Sequence, residues 1–412
     1  MPPKHYSGAL EGVVVLDLTM MLAGPFASMM LADQGATVIK IEPVGGDNTR
    51  RIGPHMEGEI SREDGGYGGY FGSINRNKRS ICIDFKTKEG VALFHDMVRQ
   101  ADAVIENYRG GVADRLGNSY EVLREVNPAL VYASVRGFGD QRGGKSPYGH
   151  WPAYDPVAQS MGGIMAITGA ERGAMPTKVG PGVGDIIPAM YAAFGLVSAV
   201  LRARATGEGQ YVDIAMVDAI MATCERSIFQ LSFTGNNPGV EGNHHPLFAP
   251  FGLFRAKDGW VTITAQSEKF WEILTRLIGR PELAADPRYL TGDLRGQHRD
   301  EVIAIVEEFT LPRTRAEIAE VLGGNVPFGP VYLAADQFTD PHFAARDMLV
   351  TYEHPGTGRQ TTIANTPVKM TGTPGGVHSR APLQGEHTDA ILQEFGLSPE
   401  RISELRASRV VE

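Results

Sequence analysis

Residues 13–41 read VVVLDLTMMLAGPFASMMLADQGATVIKI. Val13–Leu18 (VVVLDL) is an apolar, β-branched run of the length expected for a buried strand. Gly24-Pro25 opens an apolar helical stretch, PFASMMLADQ, which Gly35 stops, and Thr37–Ile41 (TVIKI) is the next strand. Strand, helix and strand within about 30 residues make a βαβ unit, whose two strands must run parallel. The alternation continues with a helix at Lys88–Gln100, a strand at Ala103–Glu106, a helix at Tyr120–Val126 and a strand at Leu130–Val135. This order predicts an α/β domain with a doubly wound sheet.

Farther along, Arg136–Gly184 is glycine-rich and reads as loop. An apolar helix is expected from Ile186 to about Arg204, with Pro188 in its first turn, Arg202 and Arg204 at its carboxyl end, and Gly207 and Gly209 as stops. Tyr211–Ile214 reads as another strand. Beyond residue 225 the character changes. Phe251–Ala256 and Trp260–Ala265 flank Lys257-Asp258-Gly259 as a hairpin. Helices are expected at Glu268–Ile278 and His298–Phe309, and from Thr314, with Glu317 completing a capping box. This part reads as a smaller α+β domain. A last helix signal stands at Ser398-Pro399.

The chain has 412 residues and a formal net charge of −9, which argues against a dedicated nucleic-acid binder. Cys82 and Cys224 form no CxxC pair, and no HExxH occurs, so neither a disulfide scaffold nor a metal site is expected. The N-terminal residues show no apolar leader, and the run Ile186–Leu201, interrupted by Pro188, reads as a buried helix and not a membrane span. A cytoplasmic location is therefore expected.

Gly139–Ser146 matches the phosphate-cradling pattern G-x-x-x-x-G-K-S, but that chemistry needs a helix directly after the serine. Pro147, Gly149 and Pro152 oppose one. After the first strand there is no G-x-G-x-x-G for a dinucleotide. The basic segment Asn75–Arg79, followed by Lys86 and Lys88, reads either as a solvated face or as an anchor for a phosphorylated ligand. Asp185 lies between the glycines at 180, 182 and 184 and the long apolar helix. It reads as a helix N-cap, or as a carboxylate nucleophile that the helix dipole keeps ionised while the glycines admit a bulky substrate. Attack of a carboxylate on a thioester gives an anhydride, which keeps the acyl group activated.

Eight segments in one order extend the second reading of Asp185: LDLTMMLAGPFASMMLADQGATVIKIEP (16–43), NRNKRSICIDFKTKEG (75–90), ADAVIENYRGGVADRLG (101–117), NPALVYASVRGFG (127–139), YDPVAQSMGGIMAITG (154–169), VGPGVGDIIPAMYAAFG (179–195), TGEGQYVDIAM (206–216) and GEHTD (385–389). With these the chain resembles, over nearly its whole length, the class III coenzyme A transferases, which include formyl-CoA transferase and carnitine CoA-transferase. The resemblance implies a large α/β domain built from both chain ends, here 1–225 and 341–412, a small domain at 226–340, and an interlocked homodimer. It implies CoA transfer between small carboxylic acids, with dicarboxylates such as succinate or oxalate as candidates. The implied route runs through an aspartyl-CoA thioester on Asp185. CoA and acyl-CoA enter as substrates, and no tightly bound cofactor is implied.

Residue by residue, the resemblance implies CoA contacts at Ala23, Ile83, Lys86, Asn107, Tyr108 and Arg115, with Tyr154 and Asp155 neighbouring the nucleophile. Met20 stands where formyl-CoA transferase has histidine, Pro43 stands where it has arginine, and its glycine-run loop is missing, all of which depart from formyl-CoA/oxalate specificity. Two alternatives stay open. The family also holds α-methylacyl-CoA racemases, which use a histidine–aspartate pair. Tyr154 aligns with that histidine, and His150 lies four residues upstream. The other alternative is a non-catalytic CoA-binding protein.

Overall fold

The computed structural model describes residues 8–412. They form two compact units, the larger comprising the chain through Gly163, Gly180–Cys224 and His342–Glu412, and the smaller Ile164–Val179 and Glu225–Pro341.

The larger unit is a mixed α/β structure around six strands: β1 (Val14–Asp17), β2 (Thr37–Glu42), β3 (Arg79–Cys82), β4 (Ala103–Glu106), β5 (Val131–Arg136) and β6 (Tyr211–Ala215). All pair in parallel, in the order β3-β2-β1-β4-β5-β6. This is a doubly wound order, and the strand sequence reverses direction between β1 and β4. Every residue of β4 is buried, as a strand covered on both faces requires. Its helices are α1 (Ala23–Asp33), α2 (Gly69–Ile74), α3 (Lys88–Val98), α4 (Val112–Arg115), α5 (Tyr120–Val126), α6 (Asp155–Met161), α8 (Val183–Thr206) and α9 (Met216–Thr223), while α7 (Ile164–Ile167) belongs to the smaller unit.

One core gathers Leu16, Ile39, Ile81 and Val104 from the strands, Phe94 and Met97 from α3 and Leu123 from α5. The chain's end closes the same core with Ile391, Leu392, Ile402 and Leu405. Helices α1 and α8 pack against each other and against the sheet.

Several sequence expectations are corrected. Helix α8 begins at Val183, three residues early, so Pro188 lies in its second turn and deprives Gly184 of the usual amide donor. Within the loop-rich stretch 136–184, Pro156 supports the first turn of α6. The basic segment 75–79 is neither a solvated face nor a ligand anchor. Arg76 pairs with Asp33 (2.6 Å), Arg79 with Glu394 (2.6 Å), and Lys78 with Asp17 (2.9 Å). The Lys78 ammonium also donates to the Pro25 carbonyl and the Asn75 side chain, inside a site with no solvent exposure.

In the smaller unit β7 (Phe251–Ala256) and β8 (Gly259–Thr264) form the expected hairpin, and β9 (Phe328–Pro330) adds a third antiparallel strand. Thr314 and Glu317 complete the expected capping box.

Breaking the Asp17–Lys78 pair leaves a buried carboxylate uncompensated. Lys78→Met is therefore expected to lower the unfolding free energy by about 3–5 kcal/mol, read from urea denaturation.

Candidate active site

The carboxyl ends of the strands carry the larger unit's buried charges. Asp17 ends β1, and its carboxylate accepts from the Thr19 amide (2.8 Å) and the Ser28 hydroxyl (2.7 Å). Burial alone would raise its pKa, but Lys78 and Lys40 outweigh burial and bring it down to about 2. Lys40 of β2 pairs with Asp47 (2.9 Å), and Arg50 holds Glu42 (2.5 Å). These pairs fix the turns after β1 and β2. Of the residues 47–50, Asp47, Thr49 and Arg50 are buried and Asn48 alone is exposed.

Above this layer a cavity of about 860 Å³ opens at the point where the strand order reverses. Asn107, just after β4, clamps the loop after β1. Its side chain donates to the Met20 carbonyl (2.6 Å) and accepts from the Met20 amide (2.9 Å). Met20, Ala23, Asn48, Asn107, Tyr108, His150, Tyr154 and Asp185 all line the cavity. In doubly wound sheets this reversal is where a crevice for a ligand forms.

Asp185 stands in the first turn of α8 as its third residue, and Gly182 takes the N-cap position. Asp185 is thus not the N-cap that one reading of the sequence suggested. The contact that would favour its anion goes to another carboxylate, because the Gly184 amide donates to Asp155 Oδ1 (2.8 Å). A Cβ built on Gly184 would lie 2.4 Å from the Asp155 carbonyl oxygen, so this glycine admits α6 and not a substrate. A Cβ built on Gly182 would lie 3.8 Å from a carboxylate oxygen of Asp155 and 3.8 Å from one of Asp185, so the two acids face the same small space. Burial first, and the Asp155 charge second, push the Asp185 carboxyl up to about 7. Burial and the Asp155 charge thus oppose the helix dipole that was expected to keep this carboxylate ionised. The Tyr70 hydroxyl on α2 is held up to about 12, mainly by burial and then by Asp185 and Asp47.

The residues implied as CoA contacts divide. Ala23, Asn107 and Tyr108 line the cavity. Ile83 does not, being packed in the core with the strands and α3. Lys86 is exposed and outside the lining. Arg115, at the end of α4, is exposed, and its guanidinium lies 3.5 Å from the Cβ position of Gly111, itself a lining residue. Tyr154 lines the cavity and is exposed, whereas Asp155 is buried behind it.

The lining also holds cations that the sequence reading missed. Arg136 pairs with Glu106 and Asp140, and Arg142 pairs with Glu121 and Asp140. Arg109 and Lys145 also line the cavity, without an ion pair among the described residues. Residues 147–154 form no helix, so the phosphate-loop match at 139–146 lacks its essential partner.

An acidic residue of raised pKa at a helix start, lining a cleft at the reversal of a parallel sheet, marks this cleft as the candidate active site of an α/β protein. The family model for CoA-transferase family III matches residues 10–388, and the chain belongs to that family. It is a CoA-transferase. It is 43% identical over 390 residues to the succinyl-CoA:mesaconate CoA-transferase of Haloarcula hispanica, covering 95% of this chain and 97% of that one. It is 38% identical to the acetyl-CoA:oxalate CoA-transferase of Acetobacter aceti, covering 95% and 97%. Among solved structures, a CAIB/BAIF family protein from Brucella suis superposes with a TM-score of 0.82 at 36% identity, covering 94% of this chain and all of that one.

The raised Asp185 carboxyl favours folding fully below about pH 4, and that contribution is lost as pH rises through about 7. Asp185→Asn removes this dependence. Its melting temperature minus that of the wild type is expected to grow by at least about 2 °C between pH 4 and pH 8 and then level off, as differential scanning calorimetry would show.

Proposed function

We propose that the protein moves CoA from succinyl-CoA to a small dicarboxylic acid of the mesaconate type, with Asp185 as covalent carrier. The observation that carries this reading is Asp185 itself, a partly desolvated carboxylate facing a cavity of about 860 Å³. The identity to the Haloarcula enzyme supports the choice of substrates. The Asp185 carboxylate attacks the thioester carbonyl, the C–S bond breaks, and a mixed anhydride and CoA thiolate form. The thiolate then attacks the aspartyl carbonyl and releases the donor acid. The acceptor carboxylate attacks the aspartyl-CoA thioester, expelling thiolate, and thiolate attack on the new acyl carbon regenerates Asp185. A desolvated carboxylate suits this role, because losing hydration and gaining basicity both favour attack.

Ala23, Asn107 and Tyr108 are assigned to the CoA arm within the cavity, with Tyr154 and Asp155 at the reacting end. Arg115 and Lys86 act from outside it as charges for the CoA phosphates, and Ile83 supports the site from the core. CoA esters exchange as substrates, without a tightly bound cofactor, and the enzyme works in the cytoplasm.

The functional unit in this reading is the interlocked homodimer, with the large domain at 1–225 and 341–412 and the small domain at 226–340. Helix α8 supports it, since Met190, Phe194, Val197 and Leu201 recur at four- and three-residue spacing and are exposed, Phe194 and Leu201 each by 74%. A second copy covers this stripe. The double variant Phe194→Asp/Leu201→Asp is expected to elute as a monomer or aggregate in light scattering, where the wild type gives a dimer.

Asp185→Asn is expected to lose succinyl-CoA:mesaconate transfer by about 10³-fold or more. Borohydride quenching with succinyl-CoA should mark Asp185 in the wild type by peptide mass spectrometry. The wild-type kcat/KM should fall about tenfold per pH unit below about pH 7, where Asp185 is protonated. Full transfer by Asp185→Asn would refute the mechanism. Exchange of the α-hydrogen of a 2-methylacyl-CoA in deuterium oxide, without transfer, would favour the racemase, for which His150 in the cavity lining is the candidate base.

A further inference from the structure

Gln159 lies on the same helix as Asp155, one turn on, and is completely buried. Its carboxamide nitrogen donates to both oxygens of Asp155, at 2.9 and 3.1 Å. Asp155 Oδ1 in turn accepts from the Gly184 amide at 2.8 Å, one residue before Asp185. At Gly184 the first turns of α6 and α8 touch without room for a Cβ. Gln159, Asp155, Gly184 and Asp185 therefore form a continuous chain of polar and backbone contacts, and it starts at a side chain that solvent does not reach.

We infer that Gln159 is a positioning residue for the Asp185 carboxylate, acting through Asp155. The inference rests on Asp185 being the nucleophile. A buried carboxamide that holds both Asp155 oxygens fixes the orientation of that carboxylate, so one oxygen stays on the Gly184 amide and the α8 start stays in register with α6. Asp155 and the Tyr70 hydroxyl are the titratable groups whose charges couple to Asp185. A leucine at 159 would remove the donor to both Asp155 oxygens, and a glutamate would replace it with a second carboxyl, so either change frees the Asp155 carboxylate to turn.

The test uses full-length Gln159→Leu and Gln159→Glu with succinyl-CoA and mesaconate, beside the wild type, Asp155→Asn and Asp185→Asn. Both Gln159 variants are expected to keep the KM for succinyl-CoA within about threefold. Their kcat should fall about 10- to 100-fold, the scale of a small misplacement of a reacting group. The acid limb of kcat/KM should shift from its wild-type position in both variants, because a turned Asp155 carboxylate lies at a different distance from the Asp185 carboxyl that it pushes up, and it should move down in pH for Asp155→Asn. A purely structural role would lower kcat or the melting temperature and leave both limbs where the wild type has them. That result, or a wild-type kcat in Gln159→Leu, overturns the inference while Asp185→Asn remains inactive. Should Gln159→Leu fold poorly, the limb of Gln159→Glu decides alone, and an unmoved limb refutes the inference. An active Asp185→Asn would instead remove the reading on which the inference rests.

Discussion

The larger unit depends on one buried ion pair, Asp17 with Lys78. Asp17 ends the central strand β1, and Lys78 precedes the edge strand β3, 61 residues on. Neither has solvent exposure. A buried charge is tolerated only where every lone pair and proton is met. Here the carboxylate takes Thr19, Ser28 and Lys78, and the ammonium takes Asp17, Asn75 and Pro25. Those partners are the loop after β1, the start of α1 and the turn before β3. The pair therefore sets the floor on which the cavity is built, and Lys40–Asp47 and Glu42–Arg50 extend that floor beneath the turn after β2.

On that floor two carboxylates with different duties share a few ångströms. Asp155 is buried and accepts from the Gly184 amide and from Gln159, so its orientation is fixed by hydrogen bonds. Asp185, three residues from the N-cap, has burial and a like charge against it. Placing two acids in unequal environments sets them apart, one fixed by hydrogen bonds and the other left with a raised carboxyl facing the cavity. The feature that permits this is the missing Cβ at Gly184, which brings the two helix starts together.

The sheet was legible because its signal is local. Short β-branched runs such as VVVLDL and TVIKI announce parallel strands without reference to the rest of the chain. The sequence singled out Asp185 by its flanking glycines and apolar helix, but that pattern is also an ordinary cap, and Tyr154 and Asp155 were named only through a resemblance spread over eight segments. The remainder was hidden because it depends on distance. Lys78 reads as a surface lysine until its partner 61 residues upstream is known. Gln159 reads as one polar residue in a short helix until the Asp155 side chain is seen against it. Ile83 and Lys86 follow the family pattern in sequence, yet the fold leaves both outside the cavity lining.

The turn after β2 has a consequence for how such enzymes diverge. Asp47, Thr49 and Arg50 are locked into the interior by Lys40, the backbone and Glu42, whereas Asn48 between them faces the cavity. The frame and the variable position are adjacent in sequence but separate in energy. A replacement at 48 alters the cavity wall without touching an ion pair that keeps the sheet folded. A scaffold arranged in this way can change that wall in single steps, each nearly neutral for stability.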